Sequence, residues 1–367
     1  MYNYTPFLKL KVSEISALKE LGANKKNNFI PFFDFPRKKP KKSRYSGEQK
    51  SDKNQLFASD LDRLEAKFNS TLKWIKEFYL DNYDVEDEIS LGNKYHYYDI
   101  ISNFSKFGMI PVVALDRSPH HLLSVIHGFE HGLFTYKKVA LRLTKDYFCN
   151  YSLFKEEIDE LIETLEPYVD SFDIIFDCRV CKAGDADKLS KQIVNFVSNL
   201  KFNSNYNKLH KIITTGSMIP SSISELLETQ AELDIIREEI KIYNAVFESY
   251  KSDYKLVFGD YGCVSPEYSD IELFDEDMQN VTTAKVIYPY HDRLFIKRGG
   301  RVKSDKHQYN EFAEYIVTRS GFYRGKEYSS GDLYLFQKAN YEGKSVTAAS
   351  IVKPLVNLHL SYMILER

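Results

Sequence analysis

Short apolar runs that end in a charged or polar residue recur along the chain, each followed by an amphipathic stretch. Residues 255–262, Lys-Leu-Val-Phe-Gly-Asp-Tyr-Gly, are the clearest case. Four residues of strand character run into a turn that leaves Asp260 and Tyr261 at the strand's C-terminal end. Continuous apolar runs of this kind suit strands buried on both faces, which is the situation of a parallel sheet covered by helices. The same unit reads at 29–35, 74–81, 109–115, 138–143, 172–177, 211–217 and 283–290. With 255–260 this makes eight strands. Helices are expected between them at 54–73, 95–107, 120–131, 152–168, 186–201 and 222–249. Eight strands alternating with helices predict an α/β fold, a (β/α)8 TIM-type barrel. The rival, an open doubly wound sheet, lacks a Gly-rich dinucleotide turn after an early strand.

The ends add further elements. Residues 4–9 read as a short extended segment and 13–21 as a helix stopped by Gly22. After 283–290 come a hairpin partner at 294–300, helices near 306–319 and 329–338, and a last helix over 346–365 that Pro354 kinks or restarts. The expected division is a barrel over 1–290 and a C-terminal hairpin-plus-helix elaboration over 291–367 packed on it.

Composition narrows the function classes. The formal net charge of −2 gives no global field favouring nucleic acid or an anionic membrane. Four cysteines in 367 residues do not make a disulfide framework. The opening MYNYTPFLKLKV has no apolar signal core, and no run of 18 apolar residues exists. A cytoplasmic protein with no membrane contact is expected. The 27 Tyr and 25 Phe mean that much of the core is aromatic, and each buried Tyr hydroxyl needs a partner.

In such barrels the site lies at the C-terminal ends of the strands. That places Asp34, Asp81, Asp116, Arg142, Asp177, Thr215, Ser217, Asp260, Tyr261 and Tyr288 at the mouth, with Lys297 and Arg298 reaching it from the hairpin. Asp177, Asp260 and Arg142 are the catalytic candidates. Asp34, Asp81, Ser217, Tyr261, Tyr288, Lys297 and Arg298 are the ligand-binding candidates. Carboxylates beside cations would suit a phosphorylated or nucleotide-type ligand, with a divalent metal between them. Paired carboxylates would equally suit acid/base work on a glycosidic bond. The structural alternative is a buried ion pair between Arg142 and Asp177.

Three further motifs are weighed on context. Arg37, Lys38, Lys39, Lys41, Lys42 and Arg44 make a basic loop after a strand exit, either a solvated insertion or a nucleic-acid-contacting arm. His127-Gly-Phe-Glu-His131 fits an inverted zinc-peptidase pattern, but on an outer helix with no third ligand it reads as surface histidines. Cys178-Arg-Val-Cys181 is one CxxC with no second pair, and reads as chance. No metal ligand set is assigned.

The order of several short motifs resembles the phage and bacterial beta protein family. They are Tyr4, Pro6 and Lys9 followed by Glu14, Ala17 and Leu18, then Pro-Phe-Phe-Asp at 31–34, Arg142, Asp177, and Gly-Ser-x-x-Pro at 216–220. Gly-Asp-Tyr-Gly with Pro266, Lys-Arg-Gly at 297–299, Gly331-Asp332 and His359 complete the set. The chain departs from the family in lacking a Trp near the last hairpin and another before the C-terminal helix; Trp74 is its one tryptophan. The resemblance implies a setting of phage–host conflict, in antiviral defence or in a phage, and no biochemical activity. It leaves a protein–protein interaction module as the alternative to ligand binding.

Overall fold

The computed structural model describes residues 3–38, 52–200, 206–268, 282–305 and 307–366. Eight parallel strands close a barrel: β1 (Tyr4–Lys9), β2 (Phe32–Asp34), β3 (Phe78–Asp81), β4 (Met109–Val113), β5 (Lys138–Thr144), β6 (Ser171–Val180), β7 (Leu209–Ser217) and β8 (Lys255–Asp260). Neighbours in sequence are neighbours in the barrel, and β1 pairs with both β2 and β8. This is the TIM-type (β/α)8 arrangement.

Strand count and barrel order follow expectation, but two strands are redistributed. The segment 4–9, expected only as an extended lead-in, is the first barrel strand. The run 283–290, expected as the eighth, instead pairs antiparallel with Arg293–Arg301 through a two-residue turn in which His291 has φ +45°. A turn that short can only return the chain antiparallel, so it cannot feed a parallel barrel. The third strand of this side sheet is Ala231–Ile236, lying where a long helix over 222–249 was expected. Ala-Glu-Leu-Asp-Ile-Ile alternates between half-buried and exposed positions along that strand, and pairing with 293–301 outweighs its good helix formers. The helix itself begins at Glu238 and runs to Tyr250.

Side-chain parity sorts the barrel wall. Phe7, Phe32, Tyr79, Val112, Ala140, Ile175, Ile213 and Val257 form one buried cluster in the lumen. The Phe7 and Phe32 rings stack at 4.3 Å, and Tyr79 donates its hydroxyl to buried Asp173 at 2.5 Å near the barrel floor. Residues of opposite parity face the helices, where Phe68 meets Phe33, Phe78, Phe104 and Phe107. The aromatic bias of the sequence is spent there, each ring pair adding about 0.5–1.5 kcal/mol beyond its buried area. Entry to β4 depends on Gly108, at φ +90° with Lys76 O only 2.0 Å from where a Cβ would sit.

The C-terminal helix Val352–Glu366 carries Pro354 in its first turn, where proline's missing N–H is harmless. The residue thus starts the helix rather than kinking it. Asn357 stitches the helix in place, donating to Ala17 O and accepting from Gly331 N, both at 3.0 Å. Among the described residues no helix is long and apolar enough to cross a membrane.

Candidate functional site: an ion-paired barrel mouth

Two residues beyond each inward lumen residue the chain again faces inward, now at the C-terminal rim. Phe7 leads to Lys9, Phe32 to Asp34, Tyr79 to Asp81, Ala140 to Arg142 and Ile175 to Asp177. Strand register sets Lys9 opposite Asp34, and Asp34 opposite Asp81. The sequence therefore builds a charged layer on an apolar one.

Arg142 is the centre of that layer and is fully buried. Its Nε and Nη2 donate to Asp177 Oδ2 at 3.0 and 2.7 Å. Its Nη1 donates to Asp34 Oδ1 at 2.6 Å and to Asp81 Oδ2 at 2.8 Å. Nη2 also donates to the Tyr261 hydroxyl at 2.8 Å, which in turn donates a hydrogen bond to Asp177 Oδ2 at 2.6 Å. All five guanidinium donors are used inside the protein. The ion pair weighed from sequence is therefore present, widened to three carboxylates. Arg142 also stands where a divalent cation between those carboxylates would have to sit. Among the described residues no group of three or more His, Cys, Asp and Glu is arranged to hold a metal ion.

The three carboxyls differ. Burial pushes Asp81 and Asp177 up, but Arg117 and Arg142 beside Asp81, and Arg142 and Arg179 beside Asp177, outweigh it and hold both below the usual range. For Asp34 burial wins over Arg142, with Asp84 and Asp81 adding like charge, and its carboxyl rises to about 6. Its second oxygen, Oδ2, is buried with no hydrogen-bond partner.

Above this floor lies a rim that the sequence reading missed. The Tyr83 ring has the guanidinium carbons of Arg179, Arg142 and Arg117 at 4.3, 4.6 and 4.8 Å from its centroid. Arg117 donates Nη2 to Asp81 at 2.8 Å and pairs with Asp116, while its buried Nε has no partner. Arg179 sits at φ +47°, an uncommon backbone for a non-glycine residue. Its N–H donates to Asp177 Oδ1 at 2.8 Å, and its Nη2 donates to Pro266 O at 2.9 Å. A second ring, Tyr268, has Lys9 at 3.3 Å, Lys11 at 4.5 Å and Arg37 at 4.9 Å. The available signal was parity: Arg179 faces inward two residues after Asp177, and Lys9 ends a strand once 4–9 is read as one.

The remaining predicted residues lie elsewhere. Asp260 has outward parity and meets the helix layer. It accepts from Tyr4 at 2.8 Å, from Gly262 N at 3.0 Å, and pairs with His359 at 2.9 Å and with Arg237. Burial is outweighed by His359 and Arg237, and Asp260 is held well below the usual range. Ser217 accepts the Ile219 N–H at 3.0 Å within its own turn. Tyr288, Lys297 and Arg298 belong to the side sheet and not to the mouth. Tyr288 donates to Asp332 at 2.6 Å, Lys297 pairs with Glu232 at 2.6 Å, and Arg298 donates to Leu227 O at 2.6 Å. Their placement follows from the redistribution of 283–290. A groove of about 530 Å³ opens on this sheet between Tyr290, Phe295, Tyr315 and Phe322. Its acids are already matched, Glu232 by Lys297 and Asp234 by Arg293. Of the basic loop, Arg37 and Lys38 are described, with Lys38 paired to Asp60 at 2.9 Å; Lys39 to Arg44 lie outside the described residues. Cys178 and Cys181 are buried free thiols, and His127 and His131 end an outer helix with rings 3.9 Å apart.

Fold and mouth together define an α/β barrel protein whose strand ends converge on one buried arginine. Residues 4–365 match the Beta protein family, and the chain belongs to that family. No curated protein matches the chain. Among solved structures the chain is similar to the biosynthetic arginine decarboxylase of Campylobacter jejuni, at 11% identity and a TM-score of 0.37. The match covers 99% of this chain and 56% of that one, so the chain spans little more than half that enzyme's length. A likeness of this degree carries no argument about activity.

Proposed function

We propose that the barrel mouth binds a phosphorylated or nucleotide-type ligand. The observation that carries this reading is the rim, where cations alternate with two tyrosine rings. Guanidinium groups suit phosphate oxygens, and an aromatic face suits a base or sugar ring. Arg142 is not the anion receptor, because its donors are spent on Asp34, Asp81, Asp177 and Tyr261. The receptors in this reading are Arg117 and Arg179, with Lys9 and Lys11 beside them, and Arg142 fixes the floor beneath. If the bound ligand is hydrolysed, Asp34 is the general base at hand. Burial first, then Asp84 and Asp81, raises its carboxyl to about 6, and its Oδ2 awaits a donor. The setting we attach to the reading, phage–host conflict, rests on family resemblance alone.

The test is a calorimetric titration of nucleotides and sugar phosphates into the wild type and into Arg179→Ala and Tyr83→Ala, each checked for folding by its melting curve. Loss of a phosphate contact or a stacking ring predicts affinity lower by about tenfold, the scale of one charge-assisted bond or one stacked ring. Binding that neither substitution weakens would overturn the reading.

A further inference from the structure

Lys9 is the mouth residue that phosphate recognition alone does not explain. It ends β1 with inward parity, in register with Asp34 on β2, and is only 5% exposed. A buried ammonium normally spends its three donors on oxygen acceptors. Among the described residues, however, Lys9 Nζ makes no hydrogen bond. Asp84 Oδ2 stands 3.6 Å away, beyond a good bond, and the Tyr268 ring lies 3.3 Å below the amine. The groups around it oppose one another. Lys11 and Arg179 press against its charge, Asp84 and Asp34 support it, Arg37 shares the Tyr268 ring, and Glu14 is buried close by. Burial is the largest influence and brings the amine down to about 8, where a useful fraction is neutral near pH 7. Directly across the register, Asp34 offers a carboxyl with one oxygen unengaged.

We propose that Lys9 is a carbonyl-reactive amine that forms an imine with an aldehyde or ketone group of a phosphorylated ligand at the mouth. The phosphorylated part of this assignment rests on the binding reading above. The neutral amine adds to the carbonyl carbon, forming the C–N bond while the carbonyl π pair moves to oxygen. That oxygen takes a proton from the Asp34 carboxyl, and the nitrogen gives one up to the Asp34 carboxylate. A second protonation by Asp34 releases the hydroxyl as water, and the nitrogen lone pair closes the C=N bond. The nitrogen's remaining proton returns to Asp34. One carbonyl and one amine become one imine and one water, with no change in oxidation state.

The experiment is reductive trapping on the full chain. Glyceraldehyde 3-phosphate and, separately, unphosphorylated glyceraldehyde are incubated with cyanoborohydride at pH 7, and labelled lysines are mapped by peptide mass spectrometry. Lys9 should label at least about tenfold faster than exposed Lys19 and Lys188, because far more of its amine is neutral at that pH. Its labelling rate should rise with pH to an inflection near 8, where burial brings the amine. Asp34→Asn, if its melting curve shows it folded, should slow trapping at Lys9 several-fold. Equal labelling of Lys9 by both aldehydes would keep the imine assignment and remove the phosphate preference. Labelling of Lys9 no faster than Lys19 would overturn the assignment, whether or not phosphate compounds bind in the calorimeter.

Discussion

Replacing Arg142 by methionine tests the floor of the mouth. The substitution keeps the side chain's length and removes the one cation that Asp34, Asp81 and Asp177 share. Asp81 keeps Arg117, and Asp177 keeps the Tyr261 hydroxyl and the Arg179 N–H. Asp34 keeps no side-chain hydrogen-bond partner among the described residues. Leaving a buried charge without its partner costs about 3–5 kcal/mol, and with two of the three carboxylates partly rescued that range applies to the set. An unfolding entropy of about 2.1 cal/mol/K per residue over the whole chain converts this to a fall in Tm of roughly 4–7 °C. The sign with pH is fixed. Without Arg142 the Asp34 carboxyl, already raised to about 6, rises further above its unfolded value, so protonation favours the folded variant and its deficit shrinks as pH drops from 8 towards 5. The assay is urea and thermal unfolding of both proteins across that range. A deficit under about 1 kcal/mol, or one that grows as pH falls, would refute the view that Arg142 neutralises three buried carboxylates.

Two further substitutions probe the frame. Asp260→Asn removes the charge that joins Tyr4, Arg237 and His359, and should cost about 3 kcal/mol at pH 7 in urea unfolding. Because this carboxyl is held below its unfolded value, the wild type's advantage is complete above about pH 5 and fades as pH falls below about 4; an advantage independent of pH would contradict the pairing. Gly108→Ala puts a methyl group 2.0 Å from Lys76 O at φ +90°, and should lose about 2 kcal/mol or more by the same measurement. A neutral result there would mean the entry to β4 is not as tight as described.

Much of the barrel can be read from the chain because buried parallel strands leave long apolar runs. The same continuity hides parity. In Lys-Leu-Val-Phe-Gly-Asp-Tyr-Gly nothing local tells that Tyr261 faces the mouth and Asp260 the helices. Only the barrel's two-residue alternation, fixed by register with β7 and β1, separates them. Asp34, Asp81, Arg142, Asp177 and Tyr261 were legible as strand exits. Lys9 was not, because Thr-Pro-Phe-Leu-Lys reads as a short extended lead-in until its pairing with both β2 and β8 is seen. Tyr83 and Arg117 lie just past strand ends, where loop geometry decides direction and sequence periodicity gives no guide. The side sheet was misplaced for a related reason. Thr-Ala-Lys-Val-Ile-Tyr-Pro-Tyr has the composition of a barrel strand, and its partners 293–301 and 231–236 are set by tertiary pairing that composition does not specify.

The most direct test of the mouth as a binding site is a crystal structure of the protein with the tightest-binding nucleotide or sugar phosphate. The account predicts a phosphate oxygen within hydrogen-bond distance of Arg117 or Arg179, and the ligand's ring on Tyr83 or Tyr268. A ligand seated instead in the groove between Tyr290 and Phe322, with the mouth unchanged, would contradict it.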